Sequence, residues 1–296
     1  MATITWIGLG LMGYPMTNLM KEAGHTVRGV DIDPEAQRRA RENGITVVDT
    51  IAEACTGADA VLTMLPTGKE VLEVLAAHNS GVFSNLKEGG IVVDCSTIGI
   101  DRAVELHEAA AKAGVAFVEA PVSGGTEGAA AGTLTFMLGG ADEHIERVRE
   151  LLSPLAGYVA HVGGPGAGQG AKVVNNLIMG VCVAVNCEAT DLAQRLGLNL
   201  KALFEIVIRS SGDNWAFRLW NPAPGVVPDS PASKDYKPGF KSWLLAKDLS
   251  LALEAGRTVG SEIATAGAAH AILDRHVRQG GADMDVTSLL LSLAKQ

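Results

Sequence analysis

The chain has 296 residues, 47% of them hydrophobic and 19% charged, with a formal net charge of −9. That length fits one large or two smaller domains, and that composition supports a sizeable core and excludes a disordered chain. The acidic balance, with no block of Lys or Arg, argues against nucleic acid and anionic membrane surfaces as partners.

Up to Gly163, strand and helix signals alternate. Short apolar runs rich in β-branched residues predict strands at Ile4–Ile7, Thr26–Val30, Ala60–Met64, Ile91–Asp94, Ala116–Glu119 and Tyr158–Val162. Asp33-Pro34 supplies an N-cap and a first-turn proline for the helix that Asn43-Gly44 ends. A further helix is predicted over Ile100–Ala113, stopping at Gly114. Alternation of this kind implies right-handed crossovers and a mainly parallel sheet, buried on both faces, which explains why its strands are continuous apolar runs. The loop Gly163-Gly164-Pro165-Gly166-Ala167-Gly168 interrupts the pattern and marks the expected domain boundary, giving residues 1–163 and 164–296. Beyond it Ala171–Leu196 reads as one long helix, apolar nearly all round as far as Cys187 and so expected to be buried. Leu200–Arg209, Leu244–Val259 and Ser261–Gln279 also read as helices, and a proline-rich loop runs from Asn221 to Gly239. The second half is expected to be all-helical.

The cysteines, Cys55, Cys95, Cys182 and Cys187, lie in apolar surroundings without a CxxC pair, and read as reduced thiols of a cytoplasmic protein. Met1-Ala2-Thr3-Ile4-Thr5-Trp6 runs straight into a strand pattern and lacks the features of a signal peptide. The longest apolar run, near Leu177–Val185, falls short of the roughly 20 residues of a membrane span. The histidines are scattered without HxxH or HExxH spacing, so no metal site is expected, and there is no G-x-S-x-G elbow.

Gly8-Leu9-Gly10-Leu11-Met12-Gly13 matches G-x-G-x-x-G between a predicted strand and a predicted helix, the context that gives this motif meaning. Gly8 permits the tight turn, Gly10 lets the backbone approach a pyrophosphate, and Gly13 lets the helix pack on the strand. Free N–H groups at the helix start then face the anion. Asp31, directly after the second strand, stands where an acid would accept hydrogen bonds from the ribose hydroxyls and repel a 2′-phosphate. NAD is therefore expected over NADP, with Arg28 nearby leaving some room for the latter. The first half is thus a Rossmann-type α/β domain.

Three segments carry possible chemistry. The turn Ser123-Gly124-Gly125 exposes N–H groups and a hydroxyl that suit a carboxylate, though such a segment is more often only a loop. Lys172 and Asn176 lie four apart on one helix face. A buried lysine is costly and needs a reason, either general acid–base work or pairing with a carboxylate, and spacing alone does not decide between them. Lys247-Asp248, on an amphipathic helix, reads from spacing alone as a solvated surface pair.

In this order the segments resemble the β-hydroxyacid dehydrogenase family: a glycine-rich cofactor turn, an APVSGG turn (Ala120–Gly125), a GxxxKxxNN helix (Gly168–Asn176), and KDL (Lys247–Leu249), with Gly132–Met137 also fitting. Trp220–Val226 and Tyr236–Phe240 resemble the 3-hydroxyisobutyrate branch. The resemblance implies NAD-dependent oxidation of 3-hydroxyisobutyrate to 2-methyl-3-oxopropanoate, a step of valine breakdown, in a homodimer or homotetramer. It implies Lys172 as the catalytic lysine, and Asn176, Ser123, Gly124, Gly125 and Asp248 on the substrate side, with Trp215 and Phe240 as pocket walls. Cofactor contacts would come from Gly8–Gly13, Asp31, Met64, Leu65, Pro66, Thr97 and Lys247. Sibling activities on tartronate semialdehyde or glyoxylate, and a non-catalytic NAD-binding module, remain alternatives. Larger phosphogluconate-type relatives fit poorly, since the substrate turn has no basic phosphate site.

Overall fold

A computed structural model describes Met1–Ala294. The chain divides into two compact units, the first ending at Lys172 and the second beginning at Val173.

The first unit is built on nine strands: β1 Thr3–Ile7, β2 Thr26–Val30, β3 Thr46–Val47, β4 Ala60–Thr63, β5 Ile91–Asp94, β6 Ala116–Glu119, β7 Val122–Ser123, β8 Leu134–Gly139 and β9 Ala156–Gly163. Their order is β3-β2-β1-β4-β5-β6-β8-β7, with β9 on β8. The first six are parallel neighbours, in the order of a doubly wound dinucleotide-binding sheet. β8 runs antiparallel to β6 and β7 and parallel to β9. The mainly parallel sheet is thus as expected, with an antiparallel element that the sequence reading placed in no strand. One core packs Ile4, Trp6, Leu62, Val93 and Phe136 on one side of the sheet, and a second packs Ile7, Val61, Val92 and Phe117 on the other. A sheet covered on both faces is what continuous apolar strands require.

Local signals work as the residue types predict. Asp33 accepts from the Glu35 N–H and caps the helix Pro34–Glu42, and Gly114 takes the left-handed conformation that closes Ile100–Ala113.

The second unit is helical. Helices Leu200–Val207, Ser242–Val259 and Ala264–His276 match their predicted positions, the last continuing into a π-turn over Val277–Gly281. The long helix starts earlier than expected, at Ala167, and runs to Arg195. The chain divides inside it, after Lys172, rather than in the glycine loop. Its first turn belongs with the sheet: a Cβ on Gly168 would lie 2.5 Å from the Met137 carbonyl oxygen and 2.9 Å from the Gly139 nitrogen.

Two expectations about this helix need correction. By length and mean hydropathy it is long and apolar enough to cross a membrane, because its Val, Leu, Ile, Met and Cys residues outweigh the asparagines that interrupt the apolar run. Yet Lys172, Asn176 and Asn186 on it are buried, as polar groups are when a helix belongs to a protein core. Nor is it buried all round: Val174, Ile178, Val185 and Leu192 are each about half exposed or more. Cys55, Cys95 and Cys187 are buried free thiols, and Cys182 is free and partly exposed.

Candidate active site

At the end of β1, Gly8 adopts φ +98° and its N–H donates to the Val30 carbonyl, turning the chain sharply. A Cβ there would lie 2.3 Å from the Met64 carbonyl oxygen, and one on Gly13 would lie 1.8 Å from the Gly8 carbonyl oxygen. Only glycine fits either place. Gly10 differs, for a Cβ on it would meet nothing within 4 Å. The turn is therefore packed from beneath and open above Gly10, as a loop that admits a pyrophosphate must be. Leu9 is a core side chain, while Leu11 is exposed and Met12 lies at the core's edge.

Asp31, at the end of β2, accepts from the Leu9 N–H at 2.6 Å and the Asp33 N–H at 2.8 Å. Arg39 donates to the Leu9 carbonyl at 2.7 Å and stacks on the Tyr14 ring, 4.5 Å from its centroid. Arg28 donates to the Thr56 carbonyl at 2.6 Å, so its guanidinium is committed elsewhere.

Met64-Leu65-Pro66 follows β4, and Thr97 lies in the loop after β5. The Leu65 N–H donates to the Ser96 hydroxyl at 2.9 Å, which joins these two loops. Beneath them the buried Thr63 hydroxyl donates to Asp94 at 2.6 Å. After β6, Ser123 ends the short β7, and Gly124 (φ +137°) and Gly125 (φ +64°) form consecutive left-handed residues. Both conformations are strained for any side chain, and successive N–H groups in such a turn can converge on an anion.

Lys172 is 8% exposed. Two residues that sequence reasoning assigned no role fix the turn before it. Glu119, the last residue of β6, is fully buried and accepts from the Gly168 N–H at 2.8 Å and the Gln169 N–H at 3.4 Å. Burial pushes its carboxyl up to about 7, against those two hydrogen bonds. His107 Nε2 stands 3.9 Å from its other oxygen, and burial pushes that imidazole down to about 4. Gln169 donates to the Ser96 carbonyl and accepts from Ile98 and Gly99. A carboxylate inside the apolar run Phe117-Val118-Glu119-Ala120 was the available signal for the first of these.

In the second unit, Asn176 donates to Asp248 at 2.5 Å and accepts from Asn175 at 2.9 Å, and Lys247 pairs with Asp248 at 3.1 Å. Asp248 is 3% exposed, so Lys247-Asp248 is not a solvated surface pair. Leu245, Asp248, Leu249, Ala252 and Gly256 share the buried face of their helix, a spacing of three and four that places Asp248 in line with the core. Trp215 and Phe240 belong to one aromatic row: the Trp215 ring lies 5.1 Å from Trp220, and Trp220 lies 6.5 Å from Phe240. Asp285 holds the Phe240 segment, accepting from the N–H groups of Gly239 and Phe240 at 3.0 Å each.

Among the described residues, no three His, Cys, Asp or Glu side chains gather as a metal site. A cavity of about 580 Å³ lined by His107, Phe117, His144 and Arg147 holds none of the predicted site residues.

Residues 3–163 match the family model of the NAD binding domain of 6-phosphogluconate dehydrogenase, and residues 166–293 that of the NAD-binding domain of NADP-dependent 3-hydroxyisobutyrate dehydrogenase. A probable 3-hydroxyisobutyrate dehydrogenase of Mycobacterium tuberculosis is 41% identical, over 99% of this chain and 98% of that one. The chain belongs to the β-hydroxyacid dehydrogenase family. As a member it is an NAD-dependent oxidoreductase. The NAD-dependent L-serine dehydrogenase of Pseudomonas aeruginosa is 42% identical over 96% of this chain and 95% of that one. Among solved structures, that of the M. tuberculosis 3-hydroxyisobutyrate dehydrogenase with L-serine superposes with a TM-score of 0.89, at 40% identity and 99% coverage of both chains.

Proposed function

We propose that this β-hydroxyacid dehydrogenase oxidises 3-hydroxyisobutyrate to 2-methyl-3-oxopropanoate, a step of valine breakdown, with Lys172 as the general base. The observation that carries the chemistry is a lysine 8% exposed, held in a helical turn tied to the ends of β5 and β6. The substrate carboxylate docks on Ser123-Gly124-Gly125. Neutral Lys172 takes the 3-hydroxyl proton as the hydride leaves the carbon that bears that hydroxyl. NAD, when bound, supplies the hydride acceptor. In reverse, protonated Lys172 donates to the aldehyde oxygen.

Gly8–Gly13, Asp31, Met64, Leu65, Pro66 and Thr97 form the cofactor side. Motif order assigns Asn176, Asp248, Trp215 and Phe240 to the substrate side and Lys247 to the cofactor. The Asp31 carboxylate and the engaged Arg28 favour NAD over NADP. The NADP-dependent description belongs to the model matching 166–293, which does not contain the β2 loop. Residues 1–163 would bind cofactor, and 164–296 would serve substrate and assembly. The exposed stripe Val174, Ile178, Val185 and Leu192 supports a homodimer or homotetramer, and the free cysteines a cytoplasmic setting.

L-serine is the second reading, favoured by the 42% identical relative named for it. It presents the same carboxylate and 3-hydroxyl. NADH formation with (S)-3-hydroxyisobutyrate, L-serine, D-glycerate and 3-hydroxypropionate, with NADP in parallel, separates the two. The highest kcat/KM for hydroxyisobutyrate with NAD is expected, and preference for L-serine would replace the substrate while keeping Lys172.

A further inference from the structure

We propose that Gln169, seated by Glu119, is a positioning residue that holds the loop carrying Thr97 in register with the helical turn carrying Lys172. The inference rests on the reading of Lys172 as general base. Gln169 is fully buried, and its amide brackets Thr97. Nε2 donates to the Ser96 carbonyl at 2.9 Å, and Oε1 accepts from the Ile98 N–H at 3.0 Å and the Gly99 N–H at 3.4 Å. These partners lie at least 70 residues away in sequence, whereas Lys172 follows Gln169 by three.

The helix does not need this side chain in order to form. The Gly170 N–H already donates to the Gly166 carbonyl at 2.9 Å, and the neighbours Ala167, Gly168, Gly170 and Ala171 are small. A buried amide costs desolvation unless its hydrogen bonds are made, and here all three go to one loop. Glu119 fixes where the amide starts from. It takes the N–H groups of Gly168 and Gln169, two that a helix start leaves without intrahelical partners. Gly168 lies so close to the Met137 carbonyl that the turn cannot slide along β8. The ends of β5 and β6 therefore meet at one helical turn.

That arrangement matters because the hydride and the proton leave the same H–C–O–H unit. The residues beside the hydride acceptor and the residue receiving the proton must be set against each other. A misplacement of about 1 Å costs on the order of 100-fold in rate.

The test uses Gln169→Ala and the isosteric Gln169→Glu, with Lys172→Ala alongside. Gln169→Glu keeps an acceptor for Ile98 and Gly99 but sets a carboxylate against the Ser96 carbonyl. Steady-state kcat, KM for the hydroxy acid, the thermal midpoint, and the isotope effect from deuterium on the oxidised carbon are measured. We expect Gln169→Ala to lose roughly 100-fold in kcat, with KM for the acid little changed and a larger isotope effect, as hydride transfer becomes the slowest step. Gln169→Glu should fall between it and the parent, and carries the test if the alanine variant does not fold. A lower thermal midpoint with kcat per folded molecule and the isotope effect unchanged would overturn the proposal. Lys172→Ala separates the two claims. If it is inactive while Gln169→Ala runs at full speed, only the clamp falls. If it stays active, the general-base reading falls, and the clamp with it.

Discussion

The two units place their proposed functional residues in different ways. In the first, a parallel sheet delivers the carboxyl ends of its strands to one edge, so Gly8–Gly13, Asp31, Leu65, Thr97 and the Ser123 turn each follow a different strand. Position in sequence there translates almost directly into position in space, and many of the groups it presents are backbone N–H groups. The helical unit has no such edge. Asn176 and Asp248 meet at 2.5 Å although 72 residues apart, and only the packing of two helices brings them together. A site made by backbone at strand ends can be read from local patterns, whereas one made by side chains across helices requires the tertiary structure.

This contrast predicts where substitutions will tell. The largest stability effect is expected in the helical unit. Asp248→Ala removes the acceptor from Asn176 and the partner from Lys247, and should cost about 4 kcal/mol in urea unfolding. A loss under about 1 kcal/mol would show that the pair is as solvated as its spacing suggests.

Next is Glu119 in the sheet unit, faced by His107, Asp94 and the N–H groups of Gly168 and Gln169. Its folded pKa, raised from 4.5 to about 7, means that folding favours the protonated form. The stability this contributes is whole below about pH 4.5 and is lost as pH rises through about 7. Glu119→Gln cannot ionise and keeps an acceptor oxygen. It should unfold like the parent at about pH 4 and be more stable by about 3 kcal/mol at about pH 8. Equal stability at both pH values would mean that the carboxyl titrates normally.

The smallest effect is a backbone one. Gly13→Ala forces a Cβ against the Gly8 carbonyl and should cost about 2 kcal/mol. The displaced turn should also weaken NAD binding, measured by fluorescence titration.

The same contrast explains what the sequence revealed. Strands β1, β2, β4, β5 and β6, the glycine turn and the place of Asp31 after β2 were legible because local chemistry dictates each of them. β8 escaped because Leu134–Gly139, a short apolar run between glycines, carries no local sign of pairing antiparallel with β6. β3 and β7 span two residues each, too few to show a period. Asp248 was misplaced by reading the charged pair alone, when its neighbours Leu245 and Ala252 put it on the buried face. Gln169 offered a single polar letter in a glycine–alanine stretch, and its importance lies in a loop at least 70 residues distant.

The central claim is that Lys172 moves the proton. Its most direct test is Lys172→Ala, with turnover and NAD binding measured on the same preparation. The account predicts a fall in kcat on the order of 1,000-fold, with NAD affinity and thermal midpoint close to those of the parent. Near-normal turnover in that variant would contradict it.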